Sequence, residues 1–382
     1  MLASKHTIYL TKKYQLNGDG NTPTNVFMFN ENGRKLQAKW IRKTIDMNSG
    51  SFVILDHNNT ILHETERGLT KRNYYIEAID FSDMKDKLSI NPFDLVKDTS
   101  EIHFMFFNIL HAIWDNADPD ITAMSNLIDA FASCTYSMFK DRKDKLNMDT
   151  MKKMVYSVRA NCQTDNGTVM LSDAIFAGMK DQESMPCKYY AQFKRAAGER
   201  VDEIAEKVAQ VFDHINENDM EMMSVTDESL LNVFNFKTAV FVNVNNPGEE
   251  HSAKIMITLL NYFIQRLATH QQVLFVLDDL DAKYNFASLP HWMKEAPEYD
   301  TSFIVINNDL SEFKATPMLE KYFKNLQKQV GASILVHHDD NAIKYDEELP
   351  MNRDDMNEFM DQEFIATVLI PTQGISDQDE LF

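Results

Sequence analysis

Short runs of almost purely apolar residues near both ends of the chain constrain its fold more than any other feature of the sequence. These runs lie at 51–55, 239–244, 272–277, 301–307, 332–336 and 364–370. Strands without polar alternation are typical of a parallel sheet that is covered on both faces. We therefore predict an α/β fold in which both ends of the chain contribute to one mostly parallel sheet flanked by helices.

The middle of the chain has a different pattern. Apolar residues recur there at three- and four-residue spacing over 104–112, 124–139, 148–160 and 193–215. This spacing predicts helices, and no convincing strand lies among them. We predict two domains, an α/β domain formed by residues 1–100 and 232–382, and an inserted all-helical domain formed by residues 101–231.

The charge of the chain limits its partners. The sequence has 58 acidic and 38 basic residues and a net charge of −20, which disfavours nucleic acid and anionic lipid at long range. No apolar run approaches the ~18–20 residues that cross a bilayer, and the N-terminal sequence has no signal-peptide pattern. Three widely spaced cysteines suit a reducing compartment. We expect a cytoplasmic protein that contacts a membrane only through another chain.

An acidic pair follows one of the apolar runs. The sequence QQVLFVL leads directly into Asp278 and Asp279. In ATPases, this Walker-B pattern provides one carboxylate to the magnesium shell and a second that polarises the attacking water. Solvated acidic residues also commonly end strands in α/β proteins, so both interpretations remain open.

A phosphate-binding loop is expected after the apolar strand 25–29, but the residues there lack its chemistry. Such a loop needs glycines, a lysine for the β- and γ-phosphates, and a serine or threonine for the metal. Between Asn30 and Gln37, only Gly33 is a glycine, and Leu36 and Gln37 occupy the lysine and hydroxyl positions. A one-residue shift recovers Lys35 but then places Leu36 at the hydroxyl position, so neither alignment gives a working loop.

The order of these segments resembles the type IV coupling proteins of conjugation and type IV secretion, which are TraG-like hexameric DNA-pumping ATPases. Residues 25–56 match the family's strand, phosphate loop, helix and second strand without a gap. The sequence NPFD at 91–94 lies where the family has an Asn-Pro before its helical insertion, and residues 190–212 resemble the end of that insertion. The resemblance spans nearly the whole chain and implies a RecA-like P-loop NTPase-type fold.

Further family positions are altered in this chain. The Asp-Pro-Lys-Gly-Glu that follows the second strand in the family reads here as Asp56 and then His-Asn-Asn-Thr. By the same resemblance, a nucleotide-sensing glutamine is replaced by His337, and an arginine that reaches a neighbouring subunit's nucleotide is replaced by Lys328 or Gln329. The second Walker-B acid is shortened to Asp279.

Alteration of the loop and of four other positions around one pocket predicts that the nucleotide is no longer bound. We predict a pseudo-ATPase without a cofactor, which acts in a bacterial conjugative transfer or secretion machine by docking partners. The resemblance implies protein partners such as a relaxase or a membrane-anchored coupling subunit. Two alternatives remain open, an active DNA-translocating ATPase that binds ATP and Mg²⁺ through Lys35 and Asp278, and a mobile-element protein that kept only the fold.

Overall fold

The structure is a computed structural model. It describes residues 7–9, 15–17, 25–30, 34–56, 59–80, 89–96, 98–113, 118–165, 167–226, 228, 233, 236–243, 259–262, 264, 272–278, 289–295, 301–307, 317–337, 358–361 and 364–369.

The described strands form one large sheet and two small hairpins. They are β1 (Thr7–Tyr9), β2 (Gln15–Asn17), β3 (Val26–Asn30), β4 (Ser51–Leu55), β5 (Tyr75–Asp80), β6 (Asn161–Thr164), β7 (Gly167–Met170), β8 (Thr238–Asn243), β9 (Val273–Leu277), β10 (Thr301–Asn307), β11 (Ala332–His337), β12 (Glu358–Asp361) and β13 (Phe364–Leu369). The large sheet has nine strands in the order β12-β13-β11-β3-β10-β9-β4-β8-β5. All pairings from β11 to β5 are parallel, whereas β13 pairs antiparallel with β11 and β12. The prediction of a mostly parallel sheet built from both ends of the chain is confirmed.

The sheet separates two apolar clusters, because successive strand residues point to opposite faces. On one face, Val26 and Met28 of β3 share a cluster with Trp40 of helix α1 (Arg34–Met47) and Leu69 of helix α2 (Thr60–Lys71). On the other face, Phe27 belongs to a cluster that also contains residues of the middle of the chain. Helices therefore cover both faces of the sheet, as its purely apolar strands require.

Helices dominate the chain between β5 and β8. They are α3 (Thr99–Ile113), α4 (Ile121–Phe139), α5 (Met148–Val155), α6 (Leu171–Ala177), α7 (Met185–Ala197), α8 (Val201–Asp213) and α9 (Glu217–Met222); helices α10 (Leu289–Glu295) and α11 (Pro317–Gln327) follow later in the chain. Helix α4 packs against α3, α5, α7 and α8, and its residues are buried on most sides, as in a helix that lies inside a bundle. The domain boundaries at 101 and 231 stay a prediction, since one apolar cluster runs from the sheet into this helical segment.

The middle segment is not purely helical, so that prediction is wrong at one place. Strands β6 and β7 form an antiparallel hairpin in which Thr164 pairs with Gly167. The hairpin is mostly exposed and therefore carries no apolar alternation that would indicate strands. Gly167 has a φ of 116°, a backbone conformation that favours glycine in tight turns.

Asn91 joins the start and the end of the helical segment. Its buried side chain donates to the carbonyl of Leu146 at 2.8 Å and accepts from the backbone N–H of Phe93 at 3.2 Å. Its own N–H donates to the hydroxyl of Thr226 at 2.9 Å, and the N–H of Ile90 donates to the carbonyl of Met222. The Asn-Pro sequence is therefore the stem of the helical segment, by which we mean that its hydrogen bonds hold the beginning and the end of that segment together.

We expect Asn91→Ala to lower the free energy of unfolding by about 1–3 kcal/mol, because it leaves a buried carbonyl and a buried N–H without partners. Urea unfolding followed by circular dichroism measures this loss. The matched control is Asn161→Ala on the exposed strand β6, which should change stability by less than about 0.5 kcal/mol. Equal effects of the two substitutions would contradict the stem role.

Candidate functional site

Polar residues mark the carboxyl ends of six adjacent parallel strands. In sheet order they are His337 of β11, Asn30 of β3, Asn307 of β10, Asp278 after β9, Asp56 after β4 and Asn243 of β8. Leu55 pairs with both Leu277 and Val242. The next residues along the three strands, Asp278, Asp56 and Asn243, therefore lie side by side. Four of these side chains, those of Asn307, Asp278, Asp56 and Asn243, are buried. This edge of the sheet is the candidate site.

A crevice is expected between β3 and β10, which are neighbours in the sheet. Helix α1 follows β3 on one face. Helix α11, which follows β10, lies on the opposite face, where the ring of Phe323 contacts that of Phe27 edge-on at 5.4 Å between centroids. In open α/β sheets, ligands bind outside the carboxyl ends of such strands, where consecutive connections diverge to opposite faces.

The described residues of the predicted phosphate loop lie at this crevice. Asn30 is the last residue of β3, and α1 begins at Arg34. Lys35, Leu36 and Gln37 therefore belong to the first turn of α1, and Gly33 lies outside the described residues. The N-terminus of a helix at this position of the fold is suited to an anion in general.

The carboxylate of Asp56 is bound by the backbone of α2. One of its oxygens accepts from the N–H of Ile61 at 3.0 Å and the other from the N–H of Leu62 at 2.7 Å. The side chain is 0% exposed. Burial raises the pKa of Asp56, and the N–H groups of Ile61, Leu62 and Thr60 act in the opposite direction. In this chain, the carboxylate binds backbone N–H groups in the first turn of α2, whose N-cap residue, Asn59, makes no side-chain capping bond.

The remaining predicted site residues lie at opposite ends of the strands, some at the carboxyl ends and one at the amino ends. Asp278 is the last described residue after β9 and is 2% exposed at the candidate site. Asp279 lies outside the described residues. His337 ends β11 at the same edge. Lys328 follows α11 and is exposed; the neighbouring Gln329 accepts from the side chain of Asn25. Because Asn25 precedes β3, Lys328 lies at the opposite edge and is not brought together with the others.

Sequence reasoning missed three asparagines, Asn25, Asn307 and Asn243, the last of which ends β8 and is buried. Asn25 donates to the carbonyls of Met293 and Gln329, both at 2.9 Å, and accepts from the N–H of Phe303, so it fixes the start of β3. Asn307 ends β10, beside the crevice, and is buried. A polar residue at the end of an apolar run, the pattern that singled out Asp278, was the signal for Asn307.

Comparison with known proteins identifies the fold. No protein-family model and no curated protein matches the chain. Among solved structures, the chain is similar to the plasmid coupling protein TrwB in complex with ADP and Mg²⁺, with a TM-score of 0.55 and 12% identity over 92% of this chain and 79% of that chain. It is also similar to VirB4 of Thermoanaerobacter pseudethanolicus, with a TM-score of 0.51 and 12% identity over 97% of both chains.

A third similar structure is the bacterial conjugative coupling protein TrwBdeltaN70 in complex with sulphate, with a TM-score of 0.51 and 10% identity over 82% of this chain and 70% of that chain. At such identities the similarity shows the fold alone, and the prediction of a RecA-like P-loop NTPase-type α/β fold is confirmed. Within the part of the chain that the structure describes, no helix is both long and apolar enough to span a membrane.

Proposed function

We propose that this chain is a catalytically impaired, coupling-protein-like component of a conjugative transfer or type IV secretion system. It docks protein partners and has lost the nucleotide. The observation that carries the proposal is the composition of the first turn of α1, at the crevice where this fold would hold phosphate. Leu36 and Gln37 stand there in place of the lysine and the hydroxyl residue that bind the phosphates and the metal.

The neighbouring residues support the same proposal. In the sequence, Glu31 lies within the stretch that aligns with a phosphate loop, and its negative charge is the opposite of the charge that a triphosphate needs. Both carboxylate oxygens of Asp56 already accept hydrogen bonds from α2. This donor set does not fit ATP with Mg²⁺, so we derive no catalytic step for the chain.

An active ATPase is the second candidate, and Asp278 is the residue that favours it. Its buried carboxylate directly follows β9, where a Walker-B acid would organise a metal. We expect phosphate release from ATP by the purified chain to equal that of Asp278→Asn. A higher rate for the unsubstituted chain would establish the ATPase and overturn the proposed loss of activity.

The docking part of the proposal has a separate test. We expect the purified chain to retain a relaxase or a membrane-anchored coupling subunit of the same conjugation or secretion system, with no nucleotide added. Retention that requires ATP, or no retention of either protein, would contradict a docking role within a conjugation or secretion machine. The same measurement also distinguishes the third possibility, a mobile-element protein of unrelated role.

A further inference from the structure

An apolar groove opens on the helical segment, away from the candidate site. Its volume is about 470 Å³, within the range of binding pockets in proteins. It lies between the end of α4, helix α5 with the 3-10 turn that follows it, and helix α6. The residues that line it are Met138, Phe139, Thr150, Lys153, Met154, Tyr156, Ser157, Ala160, Leu171 and Ile175.

The lining combines adaptable apolar groups with one buried hydroxyl. Met138 is 56% exposed at the groove although it is a large apolar residue, and Met154, Leu171 and Ile175 complete the apolar wall. Methionine side chains adapt to different apolar partners because they are unbranched and polarisable. Ser157 is 5% exposed, and its hydroxyl has no hydrogen-bond partner among the residues that the structure describes.

The chain segment beside the groove is rich in basic residues in an otherwise acidic protein. Residues 138–160 contain seven basic and three acidic residues, a net charge of +4, whereas the whole chain has −20. Arg159 is bound to Glu206 and Asp213, and Lys153 pairs with Asp149. The exposed connection from α4 to α5 contains two acidic residues, Asp141 and Asp144, and four basic ones, Lys140, Arg142, Lys143 and Lys145, a net charge of +2. The four basic residues form no ion pair with described residues.

We propose that this groove binds an acidic amphipathic helix of a partner protein. The apolar face of that helix lies on Met138, Met154 and Leu171, and its carboxylates face Lys140 and Lys143. An amphipathic helix with apolar residues at i, i+3, i+4 and i+7 is one established occupant of an apolar groove, and methionine adapts to such a partner. The inference rests on the docking part of the proposed function and names the class of partner, but it does not depend on the loss of nucleotide binding.

The apolar wall distinguishes this partner from a nucleic acid. Phosphate backbones are bound by lysine and arginine with no need for an apolar trough, and the net charge of the chain repels them at long range. An acidic helix is attracted by the same local basic residues and also buries its apolar face. The two classes therefore differ in their dependence on Met138.

The test uses a synthetic fluorescein-labelled peptide of about 18 residues, helical by design, with leucine at i, i+3, i+4 and i+7 and glutamate on the other face. Fluorescence anisotropy with the full chain should give a Kd of about 10 µM. At low salt, we expect both Met138→Glu and the double substitution Lys140→Glu, Lys143→Glu to weaken binding about 10-fold or more. The matched control reverses Arg67 and Lys71 to glutamate on the exposed face of α2 and should change Kd by less than about twofold.

Three results would overturn the inference. The first is equal affinity for a scrambled peptide of the same composition. The second is equal weakening by the α2 control, which would mean that the net charge of the chain, and not the groove, determines the affinity. The third is a single-stranded oligonucleotide that displaces the peptide and binds Met138→Glu as tightly as the unsubstituted chain. Circular dichroism of each variant checks that it is folded. Because no nucleotide is present, failure here leaves the hydrolysis and thermal-stability tests of the candidate site unaffected.

Discussion

Replacement of Phe131 by alanine is expected to lower the free energy of unfolding by about 3–5 kcal/mol, the loss typical of a fully buried phenylalanine. Phe131 is 0% exposed in α4, and its ring lies 5.6 Å from that of Phe176 in α6, which stacks on Tyr190 of α7. The substitution removes the ring on which these helices converge and leaves a cavity. Guanidinium unfolding followed by circular dichroism measures the loss.

The same experiment tests whether the sheet and the helical segment share one core. Their residues belong to a single apolar cluster. In a background with Trp114 and Trp292 replaced by phenylalanine, we therefore expect the fluorescence of Trp40, packed on the opposite face of the sheet, to report the same destabilised transition as circular dichroism. Met138→Ala on the exposed face of α4 is the control and should be nearly neutral. A shared core would be contradicted if the substitution lowered the denaturant midpoint followed by circular dichroism but left the midpoint followed by Trp40 fluorescence unchanged.

Asp56→Ala should cost about 2–4 kcal/mol, because two buried N–H groups at the start of α2 lose a charged acceptor. Asp56→Asn keeps one acceptor oxygen and should lose less. Both values are measured by chemical unfolding, with Asp165→Ala in the exposed turn of the β6–β7 hairpin as the matched control.

This substitution separates two roles of a carboxylate at the edge of a sheet. If Asp56 serves α2, the loss of stability is the same with and without Mg²⁺. If Asp56 instead serves a metal, Mg²⁺ stabilises the unsubstituted chain alone, since a ligand that binds only the folded state raises its stability. That second outcome would contradict the assignment of Asp56 to α2.

The sheet could be predicted from the sequence because its strands are fully buried. The runs at 51–55, 272–277 and 301–307 have no polar alternation, and every one of them is a strand of the parallel sheet. The β6–β7 hairpin could not be predicted because it is polar and exposed. The antiparallel pairing of β13 was also not apparent, since an apolar run does not encode the direction of its neighbour.

The candidate site was predictable in position but not in contacts. Strand-end residues such as Asn30, Asp56 and Asp278 were expected at one edge, and the parallel registers place them there. That the oxygens of Asp56 bind α2 depends on the direction in which the chain turns after β4, which no residue type specifies. The position of Lys328 at the opposite edge depends on the length of α11.

Two features support the proposed loss of nucleotide binding, the altered loop and the contacts of Asp56. Leu36 and Gln37 cannot replace the charge and the metal ligand that a triphosphate requires, and the buried carboxylate of Asp56, which follows β4, is already bound by backbone N–H groups. A chain that keeps the fold and the helical segment without this chemistry is suited to docking.

Titration of Mg²⁺-ATP against the purified chain, with the midpoint of thermal unfolding as the readout, tests the loss of nucleotide most directly. We expect the midpoint to stay constant as ATP rises to millimolar concentration, because no binding to the folded state is available to raise stability. An increase of several degrees, equivalent to about 2.7 kcal/mol at a hundredfold excess over Kd, that disappears in Asp278→Ala would contradict the account.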